Sequence, residues 1–542
     1  MQMNGKLLGA GALLLMGACA DLEVNNLNEP DRTRALATAG DLEALGAGAY
    51  RTNFFAAHSS SGPALALALS ADEYTSSAAN FAGLDFYQEP RQPVNNTTTY
   101  NNASILRHTW ASAYSAISSS SDVLKALQDQ KVAAQLGAQR TARLKTIATF
   151  NQGLGLGWLG LTYDRAFIVD ETTDLAAPVP LSPYTEVVEK AIKKLYDAAE
   201  LAEATSWSTE PGWFANVTLS NTQIKQLAFS YAARFRAQVA RTPEERNAVN
   251  WAQVIQDANK GITADYNPVM DDEVWWDYIK VYPSFGPFGW WDMRYAGMAD
   301  STGGYQAWMA TPMQQRQPFQ MASPDKRFPS STASTGAGSK GKYVGYQVST
   351  RSQPGRGTFQ WSNYRDFRFQ TYFTTFEGAV PDITVREMRL LRAEGLYRQG
   401  NLKAAADSIN VTRVGNGGLD SVTVNGVPNT PRCVPRLPNG QCGTLFDALK
   451  WEKRVEIWMH YLGDWFFDSR AWGDLQTGAP LHLPVPASDL LLAGEELYTF
   501  GGVGGRCASG TPTNCIGGSG TSAAKLSPNW ARGVAERAGV GR

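Results

Sequence analysis

The sequence predicts a mainly α-helical protein built from stacked, tetratricopeptide-like helix pairs, with an irregular, loop-rich part of minor β content. Two observations support the helices: long segments low in proline recur before residue 265, and two more follow residue 380. A third observation marks the irregular part, residues 265–380, where Trp, Tyr, Phe, Gly and Pro dominate and the helical period disappears. Helix pairs of this kind bury one face only against neighbours, so several should stack.

The bulk composition narrows the class of protein. The chain has 542 residues, of which 43% are hydrophobic, and this is ample for a large core. Its 49 basic and 50 acidic residues give a net charge of −1. Binding to nucleic acid phosphates requires a basic surface, so we do not expect a nucleic acid partner.

The N-terminus has the layout of a secretory signal followed by a cysteine. Its parts in order are Lys6, the apolar run Leu7–Met16, the small pair Gly17–Ala18, Cys19 and the acidic stretch Ala20–Glu23. A cysteine in this place is typical of a bacterial lipoprotein, whose thiol accepts diacylglycerol; a plain signal peptide that contains a cysteine is the alternative. The apolar run has about half of the ~20 residues that a transmembrane helix needs. We predict a signal peptide at 1–18, a lipid anchor at Cys19 and a tether at 19–40.

The helical segments form four candidate pairs in chain order. These are 41–55 with 106–127, 140–167 with 183–204, 223–239 with 250–263, and 384–399 with 402–414. Ser182 and Pro183 provide a cap and a first-turn proline, and Gly400 and Gly415 end the last two helices. The last pair has the spacing of small and apolar residues that is typical of tetratricopeptide repeats. We predict a helical part at 41–264, the irregular part at 265–380, a second helical part at 381–490 and a Gly-rich tail at 491–542.

Two glycine motifs match the spacing of nucleotide-binding patterns but not their structural context. Gly155-x-Gly157-x-x-Gly160 lies inside a helical stretch, whereas a dinucleotide fingerprint follows a strand, so we interpret these glycines as places where helices approach closely. In Gly336–Lys342 the next residue is Tyr343, not the Ser or Thr that would hold magnesium. We predict no cofactor, no metal and no catalytic residues.

Four cysteines remain after Cys19, in two close pairs. Outside the cytoplasm the simplest interpretation is two local disulfides, Cys433–Cys442 and Cys507–Cys515, although the sequence permits three connectivities. Zinc is the alternative, but the spacing matches no zinc-ribbon pattern.

The segment from Trp451 to Leu475 predicts a buried amphipathic helix. Its apolar stripe has helical spacing and consists of Trp451, Val455, Trp458, Leu462 and Trp465. The opposite face carries Glu452, Lys453, Arg454 and Glu456, whose charges we expect to pair.

This segment also resembles a known family. The residues are Glu452-x-Arg454-x-Glu456, then Asp468-x-Arg470-x-Trp472-Gly473, then Leu483–Pro486 with Asp489. The order resembles the C-terminal signature of the SusD/RagB family of nutrient-binding outer-membrane lipoproteins. Ser323–Arg327 resembles a mid-chain element of that family, and Arg389–Arg413 its last helix pair. The resemblance extends over most of residues 19–490.

The resemblance implies a fold and a role. Members combine a scaffold of tetratricopeptide-like helix pairs with an irregular ligand-binding part. The lipoprotein caps a SusC-like, TonB-dependent outer-membrane barrel, captures an oligosaccharide or oligopeptide, and passes it inward without chemistry. The resemblance therefore implies a non-enzymatic protein, held by lipid on the outer membrane and facing the exterior.

Aromatic side chains of the irregular part are the candidate ligand-binding residues, because sugar rings stack their C–H faces on aromatic rings. The candidates are Trp275, Trp276, Tyr278, Trp290, Trp291 and Trp308, with Tyr282 and Tyr305 beside them. On a strand, neighbouring side chains point to opposite faces, so only one tryptophan of each tandem pair could contact a ligand. The alternative is that these rings anchor the irregular part to the helices.

Two other functions remain open. A glycoside hydrolase needs two carboxylates flanking the bond, and Asp271–Glu273 beside the first tandem tryptophans is the local candidate. Adjacent acids in a loop are more often solvated, or bind calcium. A helical scaffold that binds only protein partners is the other alternative.

Overall fold

Long helices dominate the computed structural model, which describes residues 38–76, 80–284, 288–348 and 358–503. The helices are α1 Ala39–His58, α2 Ala64–Ser70, α3 Gly83–Tyr87, α4 Ala103–Ala126, α5 Gln130–Leu136, α6 Ala138–Thr162, α7 Tyr184–Glu203, α8 Asn221–Gln238, α9 Pro243–Ala248, α10 Trp251–Lys260, α11 Tyr278–Ser284, α12 Met293–Ala296, α13 Gly304–Ala310, α14 Gln370–Thr375, α15 Val385–Arg398, α16 Leu402–Gly415, α17 Leu445–Glu456, α18 Asp464–Trp472 and α19 Ala487–Ala493. The strands are β1 Tyr74–Thr75, β2 Arg165–Phe167, β3 Leu181–Pro183, β4 Val269–Asp271, β5 Trp290–Trp291, β6 Val344–Tyr346, β7 Tyr364–Asp366 and β8 Glu377–Ala379. They form antiparallel two-stranded sheets, β1–β5, β2–β3, β4–β8 and β6–β7. The predicted fold class, mainly α with minor β, is confirmed.

The helix pairs pack as the sequence predicts. Helix α1 packs on α4, α6 on α7, α8 on α10, and α15 on α16. Contacts of α4 with α6, α7 with α8, and α10 with α15 join the pairs into one continuous array. The apolar faces form one large core through most of the helices and a second, smaller core between α15, α16 and α17, as expected for stacked pairs.

The glycines of α6 let this helix approach three neighbours. A Cβ at Gly157 would lie 2.0 Å from the Phe235 ring of α8, and one at Gly160 would lie 2.6 Å from Val188 of α7. At Gly155 the nearest atom, 2.9 Å away, belongs to Ile117 of α4. The glycine motif therefore allows close packing of helices in the middle of the array.

A single methyl group at Gly157 is expected to destabilise the protein. Gly157→Ala forces Phe235 to move within a filled core, and overpacking of this kind costs about 1–3 kcal/mol. Gly48→Ala in α1 is the matched control, because a Cβ there meets nothing within 4 Å, and the change should stabilise the helix by about 0.5–1 kcal/mol. Urea unfolding of both variants checks the prediction, and equal midpoints would contradict it.

The predicted helix 140–167 ends earlier than the sequence indicates. The segment 140–167 leaves the helix after Thr162 and continues into β2. Tyr163 begins the extended stretch, and its hydroxyl donates to the Leu106 carbonyl at 2.6 Å and accepts from the Trp110 N–H at 3.0 Å. These bonds attach the chain to α4.

The segment from Trp451 is two helices, not one. Helix α17 ends at Glu456, Met459 and Gly463 have positive φ, and α18 begins at Asp464. Buried carboxylates take the backbone donors of this turn: Glu73 accepts the Met459 N–H at 2.7 Å, and Asp464 accepts the His460 N–H at 2.8 Å. Glu73, which is distant in sequence, therefore stabilises the turn at which this helix stops.

The charges of the C-terminal signature form buried ion pairs, as expected. Arg327 donates to Asp325 at 2.7 Å, to Glu452 at 2.8 Å and to Glu456 at 2.8 Å, and all four side chains are fully buried. The Trp451 indole also donates to Asp325 at 3.1 Å. This cluster attaches the loop 323–327 to α17, so the signature residues hold the scaffold together.

A second buried cluster joins α9, α15 and α18. Arg246 donates to Glu394 at 2.6 Å and to Asp468 at 3.0 Å, and the Trp472 indole donates to Glu394 at 3.1 Å. Burial alone raises the pKa of Glu394, but the charges of Arg246, Lys453 and Arg398 and the hydrogen bond from Arg246 together outweigh it and lower that pKa to about 2. Glu394 is therefore ionised at neutral pH.

One of the two predicted disulfides lies within the described residues. Cys433 and Cys442 form this bond, with an S–S distance of 2.11 Å.

Other predicted features lie at or beyond the edges of the described residues. The signal peptide, Cys19, and the predicted pair Cys507–Cys515 lie outside the described residues. The predicted start of the tail at residue 491 falls inside α19. No described helix is long and apolar enough to cross a bilayer.

Candidate functional site

A cavity of about 1070 Å³ opens along α1 and the start of α4, next to the loop that contains Trp276. Its lining residues are Ala44, Leu45, Gly48, Arg51, Thr52, Phe55, Ser59, Ser60, Ser61, Phe81, Asn102, Ser104, Ile105, Arg107, His108, Ser112, Ser119, Trp276 and Tyr278. The volume is that of a typical ligand site and is large enough for an oligosaccharide.

A continuous row of five half-buried aromatic rings follows this cavity. We call Phe55, Trp276, Tyr278, Tyr282 and Phe81 the aromatic row. Successive ring centroids are 4.4, 6.2, 6.5 and 4.4 Å apart. Phe55 lies on α1, Trp276 on the loop before α11, Tyr278 and Tyr282 on α11, and Phe81 in the turn before α3; all except Tyr282 line the cavity. Rings with one face exposed offer the apolar surface on which sugar C–H faces stack.

Asp277 holds the loop that presents Trp276 and Tyr278. Its carboxylate accepts from His58 Nδ1 at 2.8 Å and from Lys280 Nζ, and its N–H donates to the Tyr372 hydroxyl at 2.7 Å. Burial opposes charge on both partners, but their mutual attraction raises the pKa of His58 and, with Lys280, lowers that of Asp277. The buried ion pairs fix the backbone beneath the two rings.

Besides the apolar residues Ala44, Leu45 and Ile105, most of the remaining lining is polar and uncharged. Hydroxyl and amide groups come from Thr52, Asn102 and a series of serines. Burial lowers the pKa of His108, which is therefore neutral near pH 7, and its Nε2 lies 3.2 Å from the Phe55 carbonyl. Arg107 Nε lies 3.2 Å from an Asp489 carboxylate oxygen. Groups of this kind can pair with sugar hydroxyls.

The structure places two of the six predicted aromatic residues at the cavity, Trp276 and Tyr278. Trp275 is buried, edge-to-face on Phe54 at 5.5 Å. Only one ring of this tandem pair lines the cavity, as the sequence predicts, although neither residue lies on a strand.

The other three predicted tryptophans are core residues. Trp290 and Trp291 lie on β5, but both faces of this strand are covered: Trp291 stacks on Trp458 at 5.7 Å, and Trp290 is 3% exposed. Trp308 is buried beside Tyr305, at a centroid distance of 6.3 Å. For Trp275, Trp290, Trp291 and Trp308 the ligand-contact prediction is corrected to a packing role, because helices and loops enclose their faces.

Sequence reasoning missed the contribution of α1. Arg51 and Phe55 are one helical turn apart and share a face that lines the cavity. That spacing was the available signal, but it does not distinguish a ligand-facing stripe from a buried one.

The acidic segment Asp271–Glu273 is a loop cap and lies outside the cavity lining. Asp271 Oδ1 accepts the backbone N–H groups of residues 273, 274 and 275 at 2.8–3.0 Å, and Asn216 donates to its other oxygen at 2.8 Å. The described residues that line the cavity include no Asp or Glu. The arrangement of a glycoside hydrolase, two carboxylates facing each other across a bond, is not found there. The described part of the chain also contains no cluster of His, Cys, Asp or Glu suited to a metal.

Comparison with known proteins identifies the fold. No family model matches the sequence, and no curated protein matches it. A SusD superfamily protein from Bacteroides vulgatus is similar in structure, with a TM-score of 0.50 and 16% identity over 80% of this chain and 88% of that one. Another from Bacteroides fragilis has a TM-score of 0.50 and 15% identity, covering 84% and 97% of the two chains. The chain has the SusD superfamily fold, so the resemblance in the sequence is confirmed at the level of the fold.

Proposed function

We propose that the protein binds a glycan in the cavity along the aromatic row and does not change it chemically. The observation that carries the proposal is the row itself, five rings in series, of which four line a cavity rich in hydroxyl groups. Stacking needs only exposed ring faces, and fixed polar groups orient the sugar. An oligopeptide is the alternative ligand, and the binding assay below distinguishes the two.

The fold also supports a proposal about where in the cell the protein binds its ligand and which partner receives it. We propose that the protein is a lipoprotein on the outer face of the outer membrane and passes its ligand to a SusC-like, TonB-dependent barrel. Co-purification from membranes with a barrel protein encoded by a neighbouring gene tests the partnership. If the protein emerges from a mild detergent extract without any barrel protein, this part of the proposal fails and ligand binding is judged separately.

Removal of the tryptophan of the row is expected to weaken glycan binding. Trp276→Ala removes a ring that contacts Phe55 at 4.4 Å and Tyr278 at 6.2 Å, and should raise Kd at least tenfold, or about 1.4 kcal/mol. Isothermal titration with the tightest-binding member of an oligosaccharide panel measures the change. The panel includes oligopeptides, so that preferential peptide binding would replace the glycan proposal.

The matched control is Trp361→Ala. Trp361 is also half-buried but does not line the cavity, so its loss should leave Kd unchanged. Equal effects of the two substitutions would contradict binding at the aromatic row. Release of reducing ends from the bound oligosaccharide would favour the hydrolase alternative.

A further inference from the structure

We propose that the glycan is acidic, and that Arg51 binds its carboxylate or sulfate group. This inference rests on the proposed glycan-binding function and adds the chemical class of the ligand. It follows from the charges that line the cavity, from the hydrogen bonds of Arg51 and from its position beside the aromatic row.

Apart from the tyrosine hydroxyl, the ionisable side chains among the lining residues that the structure describes are all of the basic type. They are Arg51, Arg107 and His108. Arg107 already has a carboxylate partner in Asp489, and burial keeps His108 neutral. Of the described lining residues, Arg51 is therefore the one that offers a positive charge to a ligand.

Arg51 is held by its inner nitrogen and keeps its outer ones for a ligand. Its Nε donates to the Val274 carbonyl at 3.1 Å. Within the described ranges no carboxylate forms an ion pair with Arg51, including the exposed Asp272 and Glu273 of the adjoining loop. The two terminal nitrogens form a planar fork that matches the two oxygens of a carboxylate or sulfate.

The position of Arg51 suits an acidic sugar that stacks on the aromatic row. Its guanidinium carbon lies 5.4 Å from the Phe55 ring centroid and 5.7 Å from that of Trp276. A sugar ring on Trp276 would therefore carry a ring substituent within reach of the guanidinium. Because Arg51 is half-buried against these rings, water and salt screen its charge less than that of a fully exposed arginine.

The expected consequence is selectivity between charged and neutral forms of one glycan. A charge-assisted bidentate contact favours the acidic form by roughly ten- to a hundredfold in Kd. A neutral form keeps the stacking on the aromatic row and leaves Arg51 hydrated. Binding of the acidic form should also weaken as salt concentration rises.

The test begins with an array of neutral, uronate-bearing, sulfated and sialylated oligosaccharides. We expect the full-length protein to bind acidic members, and the separate sulfate and carboxylate arms identify the anion. Titration then compares the tightest acidic oligosaccharide with its methyl ester or desulfated counterpart. Binding of neutral members only would overturn the inference while leaving the proposed function intact, whereas binding of no oligosaccharide at all would overturn both.

Variants assign the selectivity to Arg51. Arg51→Gln should remove most of the ten- to hundredfold preference, and Arg51→Lys should restore part of it. Arg316→Gln is the matched control: Arg316 also lies over a tryptophan, Trp308 at 4.4 Å, and its Nε donates to the Thr311 carbonyl, but it does not line the cavity. An unchanged preference in Arg51→Gln, or an equal loss in Arg316→Gln, would overturn the role of Arg51. Circular dichroism of each variant confirms that it is folded.

Discussion

Replacement of Arg327 by glutamine is expected to lower the free energy of unfolding by about 3–5 kcal/mol, because it leaves the buried carboxylates of Asp325 and Glu452 without their counter-charge and Glu456 with Arg386 alone. Arg327 is the shared partner of Asp325, Glu452 and Glu456, and none of the four is exposed. Glutamine has no charge and fewer donors, so it cannot satisfy these oxygens. The loop 323–327 would lose its attachment to α17.

Urea unfolding at pH 7 measures this loss. Lys403→Gln is the control, because Lys403 forms an ion pair with Asp407 on the surface, with side chains 82% and 62% exposed, and such pairs contribute about 0.2–1 kcal/mol. The deficit of Arg327→Gln should shrink as pH falls, because protonated carboxyl groups no longer need a counter-charge. A deficit as small as that of Lys403→Gln would show that the cluster does not stabilise the fold.

Replacement of Cys19 by serine is expected to move the protein from the membrane fraction to the soluble fraction. The predicted anchor is a diacylglycerol on the Cys19 thiol, and a serine hydroxyl cannot form that thioether. Each buried acyl CH₂ contributes about 0.8 kcal/mol, so two chains hold a protein that would otherwise dissociate. Cys19 lies outside the described body, which begins at Thr38 and contains the aromatic row, so the variant should still fold and bind glycan.

Fractionation of cells and intact-mass measurement of the mature chain check the anchor. The double substitution Cys433→Ser with Cys442→Ser is the control: it removes the disulfide but not Cys19, so this protein should stay in the membrane fraction. A Cys19→Ser protein that remained membrane-bound without acyl chains would contradict the anchor.

Much of the fold could be predicted from local pattern. The four helix pairs were predictable because a helix with one apolar face must bury it against a neighbour. The close approach at Gly157 was predictable because glycines spaced within a helix leave room only for another helix. The sequence also predicted that Glu452 and Glu456 form ion pairs, because they lie on a helix whose other face is an apolar stripe.

The aromatic site could be predicted only in part. Composition placed aromatic rings in residues 265–380, and Trp276 and Tyr278 are among those that line the cavity. A sequence does not show which rings are covered, because burial depends on segments far along the chain. Trp291, for example, is enclosed by Trp458.

The sequence by itself determined the helical scaffold and the predicted lipid anchor at Cys19, since each depends on residues close together in the chain. It also predicted that the charges near Trp451 pair, but not that the partner of Glu452 is Arg327, 125 residues earlier. Only the tertiary structure decided where the cavity lies, because it brings Arg51 and Phe55 of α1 against Trp276, more than 200 residues later. It also decided that the segment from Trp451 breaks after Glu456, where Glu73 takes a backbone donor. Long-range contacts of this kind leave no local pattern, so folding alone determines which rings and charges remain open to a ligand.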